Sequence, residues 1–356
     1  MTKMKVFQLV DNPYKSLNPY VAVLMDGIKS ISDEVEFGYG INDFWNGDIF
    51  SFDVLHIHWP DEAFGRFPTQ NDIHRFKLRL MEFKSHGGMI VVTCHNLKPH
   101  YSKKSTRIKA YDIVYSLADV IIHLGNYSMD IMKQKYPIAK HVVCYHHTYD
   151  TMYTKVGRDS CIKALNLDAK KRYILCFGEF RDDEERRLVN TVLRHCHEQG
   201  FDVLAPRYYK LGKRRNLIAL AIQWLLLKYK VATTPGLHIH GWYISNKNLP
   251  YYYGAADISF IQRKSILNSG NLPMGFYFGN IVVGPNVGNV GEILEETGNP
   301  IFEPEDERSI FAAVDKAIEL SNSKKGESNK HYADIHFSTQ VVCNKILNVY
   351  KESFLL

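Results

Sequence analysis

The sequence predicts an α/β chain of two doubly wound domains, and three observations carry that prediction. Short apolar strands alternate with helical patterns along nearly all of the 356 residues, the pattern of parallel sheets covered on both faces. Ten strands are expected, more than one sheet comfortably holds. A polar, strand-poor stretch at 149–171, YDTMYTKVGRDSCIKALNLDAKK, interrupts the alternation. The division that follows is 1–155, 156–335, and a last helical segment at 336–356. Open α/β sheets bind ligands at the carboxyl ends of their strands, so two such domains facing each other are expected to enclose a cleft.

The strands are read in order at 5–9, 54–57, 89–93, 120–124, 142–145, 173–177, 202–205, 237–240, 258–261 and 281–284. Each is a short run dominated by Val, Ile, Leu, Phe or Tyr, the residues that fit a buried pleated surface. Helical spacing fills the gaps, clearest at 72–86 and 184–199. Residues 338–352, STQVVCNKILNVYKE, place Val341, Val342, Ile346, Leu347 and Tyr350 on one helical face. The segment 217–227, LIALAIQWLLL, is about half the twenty or so residues a spanning helix needs. It is read as a buried helix of an α/β layer, with an interfacial helix flanked by basic residues as the alternative.

Composition is that of a soluble globular protein, with 45% hydrophobic and 23% charged residues. The six cysteines (Cys94, Cys144, Cys161, Cys176, Cys196, Cys343) form no CxxC pair, which reads as buried, reduced thiols in a cytoplasmic protein. The opening MTKMKVFQLVDNPY holds too short an apolar run for a signal peptide. The net charge of +6 is concentrated at 98–109 (KPHYSKKSTRIK) and 207–215 (RYYKLGKRR). These runs are solvated surface or a face for an anionic membrane or a phosphate-bearing ligand. No recognition motif accompanies them, so nucleic acid is not expected as a partner.

The strand ends carry chemistry. One ends in His56-Ile57-His58-Trp59-Pro60-Asp61-Glu62, the next in Thr93-Cys94-His95-Asn96, a later one in Tyr145-His146-His147, and another in Phe177-Gly178-Glu179-Phe180-Arg181. Zinc is not expected there, because neighbouring strand residues point to opposite faces and no HxxxH helix or cysteine partner is present. Between the strands at 258–261 and 281–284 a helix is expected to start at Asn268-Ser269-Gly270. Such a turn aims backbone N–H groups outward and suits an anion.

The stretch AADISFIQRKSILNSGNLPMGFYFGNIVVGPNVGNVGEIL at 255–294 resembles the C-terminal core of GT-B nucleotide-sugar glycosyltransferases, with their small-residue helix, FG-x-PVV-x-P and GG-x-x-E pattern. DVLHIHWPDE, VVTCHN, ADVIIHLGNYS and ILCFGEFR extend the resemblance, in order, over most of the chain. It is most similar in flavour to bacterial transferases of polysaccharide or capsule assembly, including the xanthan-type glucuronosyltransferase. The resemblance implies two Rossmann-like domains and a nucleotide-diphosphate sugar held as substrate, with no cofactor or metal. It also implies a last helix crossing back to the first domain.

Residue by residue, the resemblance assigns the donor diphosphate to Asn268, Ser269, Gly270 and Arg181, and the nucleobase to the loop Trp242-Tyr243-Ile244. His95 matches a first-domain histidine that contacts the donor sugar. Asp61 is the expected catalytic base for an inverting transfer, with Glu62 beside it and His58 and His147 as further cleft or acceptor residues. The chain also departs from the family. The two glutamates that precede FG in many retaining members are Ile266 and Met274 here, and Asp182-Asp183-Glu184-Glu185 replaces a lysine after Arg181. Arg263, Lys264 and Lys210 are the candidates to supply that charge. Retaining and inverting outcomes both stay open, as do a catalytically silent partner protein and a sugar epimerase of the same fold. The expected acceptor is a polyprenyl-diphosphate-linked glycan. The basic run with Lys98, Lys103, Lys104, Arg107 and Lys109 is expected to hold the protein peripherally on the inner face of the cell membrane.

Overall fold

Twelve strands among the described residues form two six-stranded sheets, and every pairing is parallel. The structure is a computed structural model describing residues 3–65, 67–99, 105–209, 217–239 and 244–354. The chain divides into two units, Met1–Thr151 with His336–Leu356, and Met152–Ile335.

The first unit contains β1 (Met4–Leu9), β2 (Val35–Tyr39), β3 (Val54–Ile57), β4 (Met89–Cys94), β5 (Val120–His123) and β6 (Lys140–Val143), in the order β2-β1-β3-β4-β5-β6. The second contains β7 (Arg172–Leu175), β8 (Phe201–Leu204), β9 (Leu237–His238), β10 (Ile258–Phe260), β11 (Ile281–Pro285) and β12 (Ile301–Phe302), ordered β12-β11-β10-β7-β8-β9. Strand order reverses between β1 and β3 in the first sheet and between β7 and β10 in the second. Those switch points are where open parallel sheets leave a crevice for a ligand.

Local chemistry sets the element ends. The helix Gln70–Ser85 begins at a capping box in which Thr69 and Asp72 satisfy each other's backbone N–H groups. It buries Ile73, Phe76, Leu80 and Phe83, one face at helical spacing. In the second unit the acidic run after Arg181 starts the helix Asp183–Cys196. Asp182 caps it, Asp183, Glu184 and Glu185 sit at the positive end of its dipole, and Arg194 and His195 at the negative end. The terminal helix Thr339–Phe354 lies in the first unit against Tyr20–Ile31. They are close at Gly27, where a Cβ would come within 2.5 Å of the Cys343 sulfur.

One expectation is corrected. The segment at 217–227 is a helix, Leu217–Thr233, but it is not buried: Ile218, Ile222, Trp224, Leu225 and Leu226 are exposed, and Leu227 is buried. Two strands escape the sequence reading. β2 (VEFGY) mixes Glu and Gly into an edge position, and β12 has only two residues. All six cysteines are free and buried. No helix of the described residues is long and apolar enough to cross a membrane.

Candidate active site

At the first switch point a set of buried side chains joins the ends of β1, β3 and β4. His58 Nε2 lies 2.9 Å from the Gln8 amide oxygen, which only accepts, so this nitrogen carries the proton. His58 Nδ1 is then an acceptor, and His95 Nε2, 3.3 Å away, donates to it. Gln8 Nε2 donates to the Tyr350 hydroxyl at 3.3 Å, and that hydroxyl donates to His56 Nδ1 at 2.6 Å. His56 Nε2 completes the chain at Thr93 Oγ1, 2.8 Å away. Each tautomer is thus set by its neighbour, and His95 is held with its proton on Nε2. Burial lowers the pKa of His58 and His95 well below the ordinary range and that of His56 to about 3, with neighbouring histidines adding to each shift. The imidazoles are neutral. Trp59 stacks on His95 at 4.5 Å, fixing the ring plane.

Tyr20 fills the space behind this set. It stacks on His147 at 4.6 Å and meets His95 edge-on at 4.7 Å. His147 is wholly buried, its Nε2 donating to the Tyr20 carbonyl oxygen at 3.1 Å, so it acts by packing as placed rather than by reaching a surface. The Tyr20 hydroxyl and His147 Nδ1 are buried with no hydrogen-bond partner among the described residues. A buried, unpaired polar group costs about 1–3 kcal/mol. Tyr20→Phe should therefore raise the unfolding free energy by up to that amount, and a lowered melting temperature would contradict it.

Asp61 and Glu62 follow in the short helical turn Pro60–Phe64. Their surroundings differ. Asp61 accepts the Tyr111 hydroxyl at 2.9 Å, and Arg107 lies 3.7 Å from its other oxygen. Glu62 instead joins Asp11, Asn12 and Trp59 around a pocket of about 220 Å3 beyond β1 and β3. Desolvation, then the charges of Asp61 and Asp11, push its carboxyl up to about 7. The residue as a whole is solvent-exposed, and solvent tempers that shift.

The second switch point lies between β7 and β10. The loop after β7 carries Arg181, whose backbone N–H donates to Glu185 Oε2 at 2.8 Å. Its side chain is exposed and makes no ion pair among the described residues. Arg263, after β10, has the opposite character. Its guanidinium bonds the buried Glu185 carboxylate and donates to the Glu179 carbonyl at 2.7 Å. It therefore braces the Arg181 loop. Lys264 pairs with Glu184 and Glu305.

Asn268, Ser269 and Gly270 lead into the helix Asn271–Phe278, as the turn chemistry predicts. The helix start itself offers few donors: Leu272 N–H returns to the Ser269 carbonyl, Asn271 N–H to Ser269 Oγ, and Pro273 has none. The N–H groups of Ser269 and Gly270 meet no acceptor among the described residues. The turn is fixed from both sides. Asn271 Nδ2 donates to the Phe177 carbonyl at 2.8 Å and Asn289 Nδ2 to Asn268 Oδ1 at 2.6 Å. Gly288, at φ +61°, leaves room where a Cβ would meet the Ile266 carbonyl at 2.5 Å.

The structure thus groups His58, His95, Asp61 and Glu62 around the end of the first sheet, and Arg181, Asn268, Ser269 and Gly270 around the second. Ile244 is buried. Trp242 and Tyr243 lie outside the described residues, as do Lys103, Lys104 and Lys210. Gln8 is absent from the sequence reading, where Tyr350 figures only on an apolar helical face and Glu185 only in the acidic run after Arg181. A lone glutamine inside the apolar strand VFQLV was the available signal for Gln8. No group of three or more His, Cys, Asp or Glu among the described residues is arranged to hold a metal.

No family model matches the chain, and no curated protein matches its sequence. Solved structures do match. Sucrose-phosphate synthase from Thermosynechococcus elongatus aligns with a TM-score of 0.73 at 13% identity, covering 99% of this chain and 100% of that one. Anabaena HepE in complex with UDP-glucose gives 0.71 at 12% identity, covering 98% and 100%. A Listeria monocytogenes protein assigned as a UDP-N-acetylglucosamine 2-epimerase gives 0.60 at 12% identity, covering 99% and 97%. The fold is GT-B, two Rossmann-like units of parallel sheet and helix.

Proposed function

We propose that the chain is a glycosyltransferase that moves a sugar from a nucleotide-diphosphate donor to a glycan. The observation that carries this reading is at the second switch point, where Arg181, after β7, makes no ion pair among the described residues and the N–H groups of Ser269 and Gly270, after β10, meet no acceptor there. A leaving diphosphate gains negative charge as the glycosidic bond breaks. Fixed donors and a cation stabilise that state more than the intact donor. Asn268 orients the turn, and Trp242, Tyr243 and Ile244 take the nucleobase side. On the acceptor side the Asp61–Glu62 pair removes the proton of the attacking hydroxyl, His95 contacts the transferred sugar, and His58 and His147 hold His95 in place. No metal or cofactor takes part in this reading. The acceptor is a polyprenyl-diphosphate-linked glycan, and the protein works attached peripherally to the inner face of the cell membrane.

Titration calorimetry with nucleotide-diphosphate sugars tests the donor half. Arg181→Ala should weaken binding by about 1.5–3 kcal/mol, the usual worth of a charge-assisted hydrogen bond. Unchanged affinity would remove Arg181 from the site. A UDP-N-acetylglucosamine 2-epimerase fold-mate supports one competing reading, epimerisation. It predicts conversion of UDP-N-acetylglucosamine without any acceptor, whereas a transferase needs one.

A further inference from the structure

Helix Leu217–Thr233 is anomalous for a surface element. Ile218 is 71% exposed, Ile222 53%, Leu225 59% and Tyr229 70%, and their spacing of four, three and four residues lines them along one stripe. Leu226, adjoining the stripe, and Trp224, further round the helix, are exposed as well. Contiguous exposed apolar surface of this kind marks an interaction site in a folded protein. Charge identifies the partner. From 203 to 256 the sequence holds eight Lys and Arg residues and no Asp or Glu. Three of those cations, Lys213, Arg214 and Arg215, immediately precede the helix in sequence, and Lys228 and Lys230 lie within it. Lys228 sits over the Trp224 ring at 5.3 Å, a pairing that suits the boundary between lipid tails and headgroups. Near the end of the helix an open groove of about 930 Å3 is lined by Arg187, Arg194, His197 and Lys230, with Glu198 as its acidic member.

The expected basic run is a poorer seat. Arg107 is turned onto Asp61 and over the Phe67 ring, and Lys109 reaches Gln70.

We infer that the exposed face of Leu217–Thr233 is a membrane-docking surface that lies in the plane of an anionic bilayer, its apolar stripe among the acyl chains and its cations at the headgroups. At 17 residues the helix is about 26 Å long, and it lies on the bilayer rather than across it. The inference rests on the membrane attachment within the proposed function and names the surface that makes it. Because tails as well as charges are engaged, binding is only partly released by salt.

Sedimentation with vesicles of equal parts phosphatidylglycerol and phosphatidylcholine tests it, against phosphatidylcholine alone. The wild-type chain should bind the anionic vesicles. The double variant Ile222→Glu with Leu225→Glu, at exposed positions, should bind them about tenfold or more weakly with an unchanged melting curve. Trp224 provides a readout without added charge: vesicles should shift the wild-type emission to the blue, and the shift should vanish in Trp224→Phe. Absence of wild-type binding, full binding by the double variant, or a blue shift that persists in Trp224→Phe would overturn the inference. So would a concentration-dependent mass in solution that the double variant abolishes, since a second copy would then cover the stripe. Nucleotide-sugar binding by the same proteins separates the two readings. Vesicle binding without any donor binding leaves the docking surface standing and removes the transferase. Donor binding without vesicle binding does the reverse.

Discussion

Acidification from about pH 7 to pH 5 is expected to unfold the first unit while the second keeps its structure. Six histidines of the first unit are held neutral by burial: His56 and His123 at about 3, His146 at about 4, and His58, His95 and His147 well below the ordinary range. Their folded-state pKa values are lowered. The stability they provide is therefore complete above the unfolded value near 6.5 and is lost as pH falls from there toward the folded values. Each pH unit costs about 1.36 kcal/mol per histidine, or about 2 kcal/mol for each at pH 5. Two or three such groups consume a large share of a domain's typical stability of about 5–15 kcal/mol. In the second unit His195, beside Asp315, and His197 and His238, beside Asp202, are partly exposed rather than enclosed in the core. Hydrogen exchange followed peptide by peptide, corrected for intrinsic rate, should show protection lost at 54–58, 90–95 and 120–124 by pH 5. Protection should persist at 173–176 and 281–285. Simultaneous loss in both units, or full protection of the first at pH 5, would contradict this origin.

The same histidines show how far a sequence of this kind is legible. Short apolar runs mark buried parallel strands, and β3, β4 and β11 were readable because every residue of them points into packed surface or nearly so. β2 was not, because an edge strand tolerates Glu36 and Gly38, and period-2 alternation is lost. At the second switch point the turn Asn268-Ser269-Gly270 was legible as local chemistry, a small polar cluster ahead of a helix. The bond from Gln8 to Tyr350 spans 342 positions, and no local pattern encodes a contact of that range. The pairing of Arg263 with Glu185, 78 positions apart, was hidden for the same reason, although it decides which arginine is tied and which is available. Exposure of Leu217–Thr233 was illegible in a different way. A run as apolar as LIALAIQWLLL has little helical asymmetry, so a buried helix and one made for a lipid surface share a composition.

Glu62→Gln is expected to reduce transfer by about 10²- to 10⁴-fold, the usual contribution of a positioned general base, while donor affinity stays unchanged. The two carboxylates after β3 are separated by their surroundings rather than by their type. Asp61 already accepts the Tyr111 hydroxyl and lies near Arg107, so both of its oxygens are engaged within the protein. Glu62 borders the pocket at the first switch point, and desolvation with Asp61 and Asp11 raises its pKa to about 7. A base tuned near the working pH combines availability with driving force. The pH dependence then has a definite sign: kcat/KM for the acceptor should be high above pH 7 and fall as pH drops through that value and Glu62 takes up a proton. Glu62→Gln should remove that inflection. Asp61→Asn offers the discriminating comparison. If Asp61 is itself the base, its variant loses transfer and Glu62→Gln does not. If Asp61 acts on its neighbour, its removal lowers the Glu62 pKa and moves the inflection to lower pH with transfer retained. Full turnover in both variants would leave neither carboxylate as the base and favour retention of the anomeric configuration, a mechanism that needs no such group on the acceptor side.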